Sequence, residues 1–158
     1  MTLYSIHHPG DASRPYLAFQ AQARPVALAL LFVMTVGLAA ALLGETILWP
    51  FVGGTAAAYG TAALVGQSTL HRTVAEVEVR GPFAAVRSVW EAAADRDTSP
   101  RMPVATTRLA HGVFEVGVGD TVHTFQREDW PDFDALVNAF REAAREADLL
   151  HALNPDLA

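Results

Sequence analysis

Val26–Gly44 reads VALALLFVMTVGLAAALLG and Thr46–Gly66 reads TILWPFVGGTAAAYGTAALVG; Glu45 is the one acidic or basic side chain from Pro25 to Leu70. A helix rising about 1.5 Å per residue needs about 20 apolar residues to cross the hydrocarbon of a bilayer. Each run is long enough. The Gly44-Glu45 connection is so short that two helices built from these runs must be antiparallel neighbours. The competing reading, a buried core hairpin of a soluble protein, needs a covering surface that 158 residues do not supply. The expectation is therefore a transmembrane hairpin over 25–70, with spans at 26–44 and 46–67, Trp49 at the interface and Pro50 in a first helical turn.

The rest of the chain belongs to a different solvent. From His71 onward nine arginines stand against fifteen acids, a balance of −6 that equals the net charge of the whole chain. An acidic domain has no electrostatic basis for holding phosphates, which excludes nucleic acid as a partner, and it lacks the polybasic attraction to anionic headgroups. Cysteine is absent, so disulfides, thiolate metal sites and cysteine nucleophiles are excluded. Lysine is absent too, all eleven basic residues being arginine.

Residues 1–24 are polar with scattered aromatics and are broken by Pro9 and Pro15, with Pro25 following. They lack the layout of a secretory signal and are expected to form an extended cytoplasmic arm. Arg14 and Arg24 precede the first span, and Arg72, Arg80 and Arg87 follow the second. By the positive-inside bias this places both termini in the cytoplasm of a multi-pass protein of the cell (inner) membrane.

Residues 71–158 read as a small α+β domain. Val74–Arg80 (VAEVEVR) alternates, placing Ala75, Val77 and Val79 on one face and Glu76, Glu78 and Arg80 on the other. Residues 82–93 stay open: Phe83, Val86, Val89 and Trp90 recur at helical spacing, while the β-branched content fits a strand. A loop with Pro100 and Pro103 leads to a strand at Val104–Leu109, and His111-Gly112 turns the chain. Val113–Val118 and Thr121–Arg127 flank Gly119-Asp120, a glycine-first pair suited to a II′ hairpin that sets Phe114 opposite Phe125 and Val116 opposite His123. Asp129-Trp130-Pro131-Asp132 is expected to open a helix, with Asp129 at the N-cap. Its buried stripe is Phe133, Leu136, Val137, Phe140 and Ala144, and it ends before Asn154-Pro155.

The spans carry no His, Cys, Asp, Glu, Lys, Arg, Asn or Gln apart from Glu45 and Gln67 at their ends. Intramembrane cofactors and ion paths are built from such groups, so neither a cofactor nor a transport role is expected. What the spans do offer is small residues four apart: Gly37 with Ala41, Gly53 with Ala57, Ala56 with Gly60, and Ala62 with Gly66. These let helix backbones approach, either to close the hairpin on itself or to receive a helix of another subunit. The expected helix-packing interface is Gly37, Ala41, Gly53, Ala57, Gly60 and Gly66.

No catalytic or metal site is expected in the soluble part. Glu128, Asp129, Asp132 and Asp134 suit a helix N-terminus, where free N–H groups favour carboxylates. His7 and His8 lack a third ligand in reach, His111 and His123 have no nucleophile or orienting acid at motif spacing, and His71 lies where the second helix is expected to leave the bilayer, a place that suits a polar ring. Gly117-Val118-Gly119 is followed by no helix and makes no phosphate loop.

From Val74 to Ala147, several strands followed by one amphipathic helix entered through Asp129-Trp130-Pro131 resemble the bacterial pleckstrin-homology-like (PH-like) domains that follow short membrane hairpins. The resemblance is one of layout over about half the chain. It implies an antiparallel sheet with a C-terminal helix, and docking in place of catalysis. The expectation is a non-catalytic accessory subunit of a larger membrane complex, respiratory or photosynthetic in kind, whose partners are other integral membrane subunits and the bilayer, with no small-molecule substrate. The alternative is a membrane-anchored adaptor or assembly factor that acts transiently.

Overall fold

The structure, a computed structural model, describes residues 1–44, 48–94 and 99–153. Glu45 and the Asn154-Pro155 stop lie outside the described residues, as do the side chains of Trp49 and Pro50. The chain divides into two compact units: one is Asp11–Arg72, and the other joins Met1–Gly10 to the residues from Thr73 onward.

The first unit contains helices α1 (Arg14–Leu42) and α2 (Leu48–Arg72). Helix α1 begins three turns before the expected span, so the extended arm over 1–24 is corrected. Pro15 sits in the first turn, where a missing N–H costs nothing, and the helix runs on through Pro25. Among the described residues one helix, α1, is long and apolar enough to cross a membrane, and its apolar window is not buried within the chain. Alanine, glycine and threonine make α2 only weakly apolar.

The second unit is α+β: a six-stranded antiparallel sheet in the order β1-β2-β3-β4-β5-β6 with a C-terminal helix. Its strands are β1 (Thr2–Tyr4), β2 (Val74–Arg80), β3 (Phe83–Ser88), β4 (Met102–Ala110), β5 (Val113–Val118) and β6 (Thr121–Gln126). The beginning of the arm is thus an edge strand, with Leu3 opposite Val77. Its pairing satisfies backbone groups that β2 would otherwise leave open: the Val79 N–H donates to the Met1 carbonyl at 2.8 Å and the Ser5 N–H to Ala75 at 2.9 Å.

The open segment 82–93 resolves into both alternatives in turn. Strand β3 ends at Ser88, whose side chain caps the short helix α3 (Val89–Ala92). Ser88 Oγ accepts from the Glu91 N–H at 3.3 Å, and the Glu91 carboxylate accepts from the Ser88 N–H at 2.8 Å. The β4–β5 turn at His111-Gly112 has positive φ at both residues (50° and 78°), and Gly119 opens the β5–β6 turn at φ 56°. Phe114 faces Phe125 and Val116 faces His123, as the two-residue loop requires.

Helix α4 (Phe133–Leu153) lays Phe133, Leu136, Val137 and Phe140 into the core. Ala143 completes the stripe, and Ala144 is only partly buried. Phe140 packs on Phe114 and Phe125 with ring centroids 5.9 and 5.7 Å apart, and the Trp130 edge meets Phe125 at 5.4 Å. Asp129 is not the N-cap of this helix. Arg127–Asp129 forms a separate 3-10 turn, because burying Trp130 against Phe125 inserts a bend before the helix can start.

Candidate helix-packing interface

Helices α1 and α2 pack along a ladder of small residues. Gly54, Ala58, Ala62 and Gly66 recur every four residues on α2, and Ala62 and Gly66 are buried. Gly54 lies against Val33 of α1, and Gly66 against Ala21 and Gln22, so the two helices run antiparallel. A β-carbon on Gly66 would come within 3.2 Å of the Ala21 carbonyl oxygen. That carbonyl is the one whose helical donor would be residue 25, and Pro25 has no N–H. Gly66 therefore approaches α1 where its backbone lacks a hydrogen-bond partner four residues on, a place suited to a Cα–H contact.

The six expected interface residues divide between two roles. Gly66 closes the helix pair, and half-buried Gly37 lines an apolar groove of about 130 Å³ with Val33, Val36, Phe51 and Gly54. Ala41, Gly53, Ala57 and Gly60 are exposed. A β-carbon added at Gly53 or Gly60 would meet nothing within 4 Å. Gly53, Ala57 and Gly60 share one helical face, distinct from the ladder facing α1. Gly54, which lies against Val33, falls outside the six expected residues, although its spacing to Ala58 matches that of Ala62 to Gly66.

In the sheet unit, the β2 face that carries Glu76, Glu78 and Arg80 holds a charge network. The Glu78 side chain is 8 % exposed and the Arg87 side chain 14 %. Arg87 Nη1 donates to Glu76 Oε1 at 3.1 Å from directly across the β2–β3 ladder. Glu78 takes Arg80, Arg87 and Arg101 around its carboxylate, Arg101 at 3.4 Å. Three guanidinium groups converging on one shielded carboxylate compensate its burial, and in this arrangement Glu78 fixes side chains from three segments.

Two of the acidic residues near α4 have side-chain partners. Asp134 pairs with Arg127 at 2.6 Å, and Asp129 accepts from His7 at 3.2 Å. His8 Nδ1 accepts from the Gly10 N–H and its ring meets Tyr4 edge-on, so the two adjacent histidines serve the N-terminal strand. Among the described residues no group of three His, Cys, Asp or Glu is placed to hold a metal ion. His123 on β6 is half-buried, and burial holds its imidazole below the ordinary value of 6.5.

No known family, curated protein or solved structure matches this chain.

Proposed function

We infer that this chain crosses the membrane twice and serves as a non-catalytic accessory subunit, its helix pair packing against other membrane subunits and its α+β unit docking on the cytoplasmic side. One observation carries the reading. Strand β1 precedes α1, β2 follows α2, and the two strands pair with Leu3 opposite Val77. Strands of one sheet lie on one side of a bilayer, since an open backbone ladder cannot thread through hydrocarbon. If α1 crosses, the chain must cross back before β2, and α2 is the helix that returns it. Close approach at Gly54 and Gly66 supports the same hairpin, with α2 sheltered in part by α1.

The uncovered face of Gly53, Ala57 and Gly60 is the contact for a partner's helix, since close backbone approach is what small residues offer in lipid. The sheet closed by α4 supports likening the cytoplasmic unit to a PH-like docking module. Affinity purification of the full chain from membranes in mild detergent tests the assignment. Stoichiometric recovery with other integral membrane subunits is expected, and that recovery falls for Gly53→Leu and Gly60→Leu. Recovery with no other subunit, or with soluble proteins alone, contradicts it.

A further inference from the structure

We propose that β6 is a self-pairing edge, through which the sheet of one copy continues into the sheet of a second copy of this chain. Sheet edges in soluble domains are ordinarily protected by short length, charge, proline or a bulge. The β1 edge is three residues long. The β6 edge has six residues, Thr-Val-His-Thr-Phe-Gln, with no charge and no proline, and it pairs with β5 in unbroken register.

The register decides which backbone groups point outward. Arg127 donates its N–H to the Gly112 carbonyl, so residues 127, 125, 123 and 121 turn their backbone groups toward β5. Val122, Thr124 and Gln126 then direct theirs away, and all three are exposed, Val122 at 69 %. Among the described residues nothing bonds to them.

A second β6 laid antiparallel must match both the faces and these outward groups. Pairing about Thr124 does so. Thr124 meets Thr124 of the second copy, Val122 meets Gln126, and every outward N–H and C=O of the three residues finds a partner. On the core face His123 stands opposite Phe125 of the second copy, extending an aromatic contact already present within one chain at 6.4 Å. Pairing about His123 would set two imidazoles against each other and leave Gln126 unpaired within the strand.

The native chain has no cysteine, which makes single-cysteine variants of the full chain in mild detergent a clean test. Under mild oxidation Thr124→Cys is expected to run at twice its reduced mass. A mixture of Val122→Cys and Gln126→Cys cross-links while Val122→Cys alone does not. Thr124→Arg, which keeps an exposed side chain but sets like charges together, is expected to halve the native mass with an unchanged circular dichroism spectrum. A folded Thr124→Cys that stays monomeric overturns the proposal. So does Val122→Cys linking to itself, or Thr124→Cys linking to a different protein.

Discussion

Leu3 stands opposite Val77 in the sheet, and the whole helical unit lies between them along the chain. The sheet unit is therefore completed only after residues on both sides of the helices have come together. Leu3 is 5 % exposed and belongs to the same core as Phe114, Phe125 and Phe140. Its burial makes the N-terminal strand part of the sheet unit's core.

Replacing Leu3 with Ala is expected to cost the sheet unit about 2 to 5 kcal/mol, the range for truncating a buried leucine. Denaturant titration of the full chain in detergent, read by near-ultraviolet circular dichroism, measures it. A loss under about 0.5 kcal/mol, the size of ordinary surface substitutions, would mean that β1 contributes little.

Gly66→Val should separate α1 from α2, because the added atoms meet the Ala21 backbone, which cannot swing aside as a side chain can. Gly60→Val should leave the pair intact, since its β-carbon enters open space. Cross-linking between cysteines introduced at positions 33 and 54 reports the difference: several-fold less in the first variant, unchanged in the second.

Glu78→Ala removes the carboxylate on which Arg80, Arg87 and Arg101 converge and leaves the largely shielded Arg87 with Glu76 at 3.1 Å. A loss of about 3 kcal/mol is expected, at the low end for breaking a buried pair because Glu76 stays. Glu78→Gln should recover part of it by keeping hydrogen-bond acceptance. Equal losses in the two variants would assign the effect to packing alone.

His123 titrates below 6.5 in the folded chain because burial disfavours its charged form. As pH falls through 6.5 the unfolded chain takes up the proton first, so this residue's contribution turns destabilising below that point and is absent above it. Wild type should lose more stability than His123→Gln between pH 7.5 and 5.5. Parallel curves for the two proteins would remove His123 as the cause.

Local chemistry made much of the sheet unit legible. Gly119-Asp120 sets a two-residue loop, and that alone places Phe114 opposite Phe125; the i, i+3, i+4, i+7 stripe likewise finds Phe133, Leu136, Val137 and Phe140. What escaped depended on contacts distant in sequence. Nothing in Thr2–Tyr4 announces a strand, because its partner lies beyond both helices. Alternation puts Glu78 on the face opposite Val77, and the arrival of Arg87 and Arg101 from other segments accounts for its burial there. In the helical unit, four-residue spacing recurs on more than one face of α2, so spacing alone does not separate the face that meets α1 from the one that stays open.

The double crossing is tested most directly by single cysteines at Glu45 and Asp120, probed on intact cells with a membrane-impermeant maleimide. Label at Glu45→Cys from outside, with Asp120→Cys reacting only after permeabilisation, is the predicted result. Reaction of Asp120→Cys on intact cells, or protection of both positions until the membrane is opened, would contradict it.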